Sequence, residues 1–131
     1  MKKKVLVTDS SKAIRFLIQT VFEKKFEVIT AQDAGSAMYW LSRKLNPDLI
    51  ILDPQLPDVE NWEMISQIKS GTLYKNIPIL VITSLPKGEV IKKCAEYGVV
   101  RFFYKPFDPL LLLESAESIF ELTGAELINS N

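Results

Sequence analysis

The chain has 131 residues, 47% apolar and 24% charged, which is ordinary for a globular domain and enough to bury a real core. Lys plus Arg equal Asp plus Glu at 16 each, so the formal net charge is zero, which argues against direct nucleic-acid binding or a membrane-surface role. Histidine is absent, removing the commonest general base, the commonest zinc ligand and any phosphohistidine. The single cysteine, Cys94, rules out an internal disulfide and fits a reducing, cytoplasmic setting.

Met1-Lys2-Lys3-Lys4 is a short basic start, but the apolar run after it stops at Thr8, too short for a signal peptide. No stretch has transmembrane length. Val5-Leu6-Val7-Thr8 reads as a buried strand ending at Asp9, and Ser10 and Ser11 are good helix N-caps. Ile14, Leu17, Ile18, Val21 and Phe22 follow at helical spacing. A second strand, Phe26–Thr30, leads to Asp33, which can cap a helix with the apolar stripe Ala34, Ala37, Met38, Leu41 and Leu45. Asn46-Pro47 stops that helix.

Leu49-Ile50-Ile51-Leu52 is apolar without alternation, as suits a strand covered on both faces in the middle of a parallel sheet. It ends at Asp53, followed by the proline-broken loop Pro54-Gln55-Leu56-Pro57. Trp62, Ile65 and Ile68 mark a short third helix ending near Ser70-Gly71, with Trp62 as its lid. Pro78–Thr83 is a fourth strand, and a helix from Lys87 to Tyr97 is expected to turn Ile91, Cys94 and Ala95 inward, with Gly98 as its C′ residue. Phe102-Phe103-Tyr104 is a fifth strand, and Asp108-Pro109 opens a last helix expected to end near Leu122. Residues 1–122 then form one domain, and 123–131 a loose tail too short for an output domain.

Five strand–helix alternations predict an α/β fold, a five-stranded parallel sheet with helices on both faces. The strand ends share one rim, where open α/β sheets place their ligands. Thr8, Asp9 and Ser10, then Asp53, then Thr83 and Ser84, then Lys105 all reach it. A lone carboxylate after a strand is usually a helix cap, and a lone lysine is usually solvated. Two carboxylates, a hydroxyl and an ammonium, each at a strand end, point instead to a site for an anion and an oxygen-ligated Mg²⁺. Neither of the common glycine-rich phosphate-binding motifs is present.

These residues resemble the receiver domain of two-component response regulators over essentially the full chain. The matching segments are Val5-Leu6-Val7-Thr8-Asp9, Leu52-Asp53-Pro54-Gln55-Leu56-Pro57, Val81-Ile82-Thr83-Ser84 and Phe103-Tyr104-Lys105-Pro106-Phe107. The intervals fit too: 44 residues from Asp9 to Asp53, 30 on to Thr83 and 22 on to Lys105. The resemblance implies the flavodoxin-like strand order 2-1-3-4-5. It implies Asp53 as acceptor of a phosphoryl group from a histidine kinase or phosphotransfer protein, and a downstream protein target. Asp9, Asp53 and the backbone carbonyl of Gln55 correspond to the Mg²⁺ pocket. Thr83 corresponds to the switch hydroxyl, with the Ser84 amide beside it, Lys105 to the charge that pairs with the phosphoryl group, and Phe102 to the aromatic switch. Lys105-Pro106 corresponds to the family's cis peptide.

Ser10 stands where the family usually carries a second metal-binding acid, so Mg²⁺ is expected to bind weakly. Asn61 replaces a usual loop glycine, which Asn can mimic in left-handed geometry, and Pro54 directly follows the acceptor. The alternative is therefore a degenerate receiver acting as a phosphorylation-independent interaction module. A phosphatase using Asp53 as nucleophile ranks last, because Gln55 occupies the place of the second aspartate such enzymes use. Leu110-Leu111-Leu112-Leu113 exceeds one apolar stripe. Leu110 and Leu111 either pack under the tail or join a homodimer interface through the fourth helix, fifth strand and fifth helix. Tyr39-Trp40 lie off their helix's stripe and are expected to be partly buried against a neighbouring loop, and Cys94 reads as a small core residue.

Overall fold

In the computed structural model the backbone is described for residues 2–43, 45–99 and 101–129, and side chains within these up to Glu121. The elements alternate throughout: β1 (Lys4–Thr8), α1 (Lys12–Phe22), β2 (Glu27–Ala31), α2 (Ala34–Ser42), β3 (Leu49–Leu52), α3 (Glu63–Ser70), β4 (Ile79–Thr83), α4 (Lys87–Tyr97), β5 (Arg101–Tyr104) and α5 (Pro109–Asn129). All strand pairs are parallel, in the order β2-β1-β3-β4-β5, the flavodoxin-like arrangement.

Successive side chains of a strand point to opposite faces, and here each set has its own helices to cover it. Leu6, Ile50, Leu52, Ile79 and Val81 pack with Ala34, Ala37 and Leu41 of α2, Met64, Ile65 and Ile68 of α3, and Val90 and Cys94 of α4. Val5, Val7, Leu49, Ile51, Leu80 and Ile82 pack with Ile18 and Phe22 of α1 and Leu112, Ala116 and Ile119 of α5. The unbroken apolar run of β3 is thus two alternating sets, each serving a different core.

Caps set the helix starts. The Ser11 hydroxyl accepts the Ile14 N–H, and Asp33 accepts the Ser36 N–H. Asp108 accepts the Leu110 N–H two positions on, with Pro109 as first helical residue. Gly98 closes α4 with a left-handed φ of 65°.

Four local expectations are corrected. In α4 the inward residues are Val90 and Cys94, while Ile91 is 56% exposed and Ala95 faces out. Either pair, four apart, could form a buried stripe, and the first is the one that joins the core shared by β1, β3, β4, α2 and α3. Leu17 of α1 is exposed, because Ile18 and Phe22 carry the contact with the sheet. Helix α5 continues to Asn129 instead of ending near Leu122, since Gly124 weakens a helix without terminating it. The expected tail is thus helical up to Asn129, and residues 130 and 131 lie outside the described residues. Tyr39 and Trp40 are exposed, stacked edge to face on each other at 5.9 Å rather than against a loop.

Candidate functional site

The sheet's hydrogen-bond ladder runs one residue past the strands and sets the site. Asp53 N–H donates to the Thr8 carbonyl at 3.0 Å, Lys105 N–H to the Thr83 carbonyl at 2.8 Å, and Asp9 N–H to the Ala31 carbonyl at 3.1 Å. Asp9, Asp53 and Lys105 therefore stand on one carboxyl rim, at the ends of β1, β3 and β5, with β4 between the last two.

Their side chains converge. Lys105 Nζ lies 2.6 Å from Asp9 Oδ2 and 2.8 Å from Asp53 Oδ2, one ammonium between two carboxylates. The other oxygens are held by backbone: Ser11 N–H donates to Asp9 Oδ1 and Gln55 N–H to Asp53 Oδ1, both at 2.8 Å. The Asp9 side chain is fully buried, whereas that of Asp53 keeps 10% exposure, so Asp53 is the carboxylate an incoming group can reach.

The electrostatics follow from crowding. Burial pushes the Asp53 carboxyl above its ordinary 3.8, against the opposing bonds from Lys105 and Gln55 N–H. Burial would also lower Lys105, but the bonds to Asp53 and Asp9 outweigh it and hold the ammonium above its ordinary 10.5. Lys105 is thus fixed in its charged form over the physiological range.

Thr83 is fully buried at the end of β4, and its Oγ1 accepts the Leu85 N–H at 3.0 Å rather than bonding to Asp53. Ser10 is exposed, and the capping role falls to Ser11. The Gln55 side chain is exposed, leaving its backbone to face the site. Phe102 lies on the edge strand, 37% exposed, with its ring edge-on to Tyr104 at 5.7 Å. The Lys105-Pro106 bond is cis, as the resemblance implies.

Two participants, and the conformation and partner of a third, escaped sequence reasoning. Arg15 Nη1 donates to the Asp9 carbonyl at 2.7 Å, bringing a second cation to the rim. Asp58, on the loop after Asp53, accepts the Gly35 and Ala34 N–H groups at 2.8 and 3.0 Å, and these bonds hold its carboxyl below the usual range. It ties the acceptor loop to the start of α2, and nothing in its local sequence signals that partner. Trp62, not Asn61, takes the left-handed conformation in the same loop, with φ 71°. It is buried, and its indole Nε1–H donates to Glu89 Oε2 at 2.8 Å.

A parallel sheet in this order with this rim defines a receiver-type α/β module, and the comparisons agree. The model of the response regulator receiver domain matches residues 5–117, and the chain belongs to that family. It is 28% identical over 109 residues to sporulation initiation phosphotransferase F of Bacillus subtilis, covering 82% of this chain and 86% of that protein. It is 33% identical over 128 residues to transcriptional regulatory protein CusR of Escherichia coli K12, covering 98% of this chain but only 55% of that longer protein. Among solved structures, the chemotaxis response regulator CheY4 of Vibrio cholerae superposes with a TM-score of 0.81 at 28% identity, covering 91% of this chain and 99% of CheY4. Receiver domains are signalling modules of two-component systems that generally bind Mg²⁺ at the phosphorylation site and interact with histidine kinases or phosphotransfer proteins and with downstream targets. No helix among the described residues is long and apolar enough to cross a membrane.

Proposed function

We propose that this receiver accepts a phosphoryl group on Asp53 from a histidine kinase or phosphotransfer protein and signals through a surface read by a downstream protein. One observation carries the reading: Asp53 is the partly exposed member of a carboxylate pair that shares the Lys105 ammonium. An Asp53 oxygen forms the new bond to phosphorus as the bond to the donor imidazole nitrogen breaks, with the leaving electron pair going to that nitrogen. Lys105 then turns from carboxylate partner to phosphoryl partner, and Thr83 Oγ1, now an acceptor for Leu85 N–H, supplies a hydroxyl donor.

Asp9, Asp53 and the Gln55 carbonyl are an all-oxygen set that fits Mg²⁺, which when bound would neutralise charge on the phosphoryl group. Ser10 adds no charge where a second acid would, so in this reading Mg²⁺ binding is weak. Replacement Ser10→Asp should tighten it. The reading includes action in the cytoplasm, without direct contact to nucleic acid or membrane.

The test is NMR of the chain with beryllofluoride, a phosphoryl mimic, over a Mg²⁺ titration. Amide shifts centred on Asp53, Gln55, Thr83 and Lys105 that emerge only at raised Mg²⁺ are expected; no shift at any Mg²⁺ concentration overturns the reading. The exposed, neutral Ser10 favours a second reading, a phosphorylation-independent interaction module. Under it, Asp53→Ala leaves partner binding unchanged. Leu110 and Leu111, 61% and 53% exposed, supply apolar surface for a homodimer, which sedimentation would detect.

A further inference from the structure

Trp62 is the unusual residue of the loop after β3. A bulky side chain rarely adopts a left-handed backbone, and such a conformation persists only where surrounding contacts over-determine it. Two contacts hold it here. Its backbone N–H donates to the Pro54 carbonyl at 2.9 Å, and its indole Nε1–H donates to Glu89 at 2.8 Å. Pro54 directly follows Asp53, and the next residue, Gln55, donates its N–H to Asp53 Oδ1. Glu89 lies in the first turn of α4. Trp62 therefore bridges the loop that orients Asp53 and the start of α4.

Helix α4 is lightly anchored by burial. Only Val90 and Cys94 of its 11 residues are buried. Its N-cap position is Pro86, which offers no side-chain bond, and nothing lies within 4 Å of where a Gly88 side chain would start. Its entry is otherwise tied to the rim by the Leu85 N–H bond to Thr83 Oγ1 and by Lys87 Nζ, 5.6 Å from the centroid of the Tyr104 ring. The Pro54–Trp62–Glu89 route joins these in linking the rim to the start of α4, and it alone passes through the loop that orients Asp53.

We propose that Trp62 and Glu89 are positioning residues: their hydrogen bond couples the conformation of the Asp53 loop to the placement of α4. Occupancy at Asp53 is then felt at the start of α4, and a partner that moves α4 alters Asp53 by the same coupling. The first consequence, occupancy felt at α4, rests on the acceptor reading, whereas the coupling itself does not. A buried indole N–H needs some acceptor in any case, so the test must separate coupling from simple satisfaction of that group.

Glu89→Leu removes the acceptor, and Glu89→Gln keeps one. In Glu89→Leu the Trp62 indole proton should exchange about tenfold faster, the Asp53 and Gln55 amide resonances should shift, and the beryllofluoride midpoint should move. Glu89→Gln should return all three to the parent values. Changes in Glu89→Leu confined to α4 and the indole, with the Gln55 amide unmoved, would overturn the proposal, as would Glu89→Gln behaving like Glu89→Leu. If the parent chain ignores beryllofluoride while the Gln55 amide still moves in Glu89→Leu, the coupling stands and the acceptor reading falls.

Discussion

Leu52 and Asp53 are consecutive, yet the sheet's interior and its carboxyl rim are built under opposite rules. Inside, each strand side chain meets a helix, and burial of apolar area stabilises. One residue further on, two buried carboxylates share one ammonium, and burial raises the energy of the ionised Asp53. The interior contributes the stability, and the rim uses part of it to keep charges poised. Functional carboxylates are where such a tension is expected.

The comparison breaks hardest in the interior. Ile51 is fully buried in the central strand, so Ile51→Ala should lose about 3–4 kcal/mol in urea unfolding. At the rim, Lys105→Met leaves the two carboxylates facing each other without a cation. Since the Lys105 side chain keeps 17% exposure, the loss should be smaller, about 2 kcal/mol, and should shrink as acid protonates Asp53.

The sharpest contrast is a substitution that stabilises. Asp53→Asn should raise stability at pH 7, by less than the Lys105 loss, because it removes a desolvated charge. The sign follows from linkage. The folded Asp53 value lies above 3.8, so its contribution is most favourable below 3.8 and is lost as pH rises through the folded value. The gain from Asn should therefore vanish below pH 3.8 in thermal unfolding. Asp58 runs the other way and is the smallest effect. Its folded value is lowered, so its contribution is present above 3.8 and lost as pH falls through the folded value. Asp58→Ala should lower the melting temperature at pH 6 and converge with the parent chain near the acid end.

Much of the rim was legible because each of its members stands at the end of a strand. Asp9, Asp53 and Lys105 each stand one residue past a strand, and a parallel sheet aligns such ends. What escaped was side-chain pairing between distant loops. Asp58 on α2, Arg15 on the Asp9 carbonyl and Trp62 on Glu89 follow no local spacing rule. The left-handed residue was expected at Asn61 from its intrinsic tolerance, but the Pro54 and Glu89 bonds place it at Trp62.

Local chemistry settled which segments are strands and helices and which polar residues end them, because hydrophobic period, caps and prolines act over a few residues. The inward face of α4, the reach of α5 and the sharing of one ammonium by two carboxylates were decided only in three dimensions. Each depends on which surface arrives from another part of the chain, and a helix with two comparable apolar stripes has no local reason to prefer either.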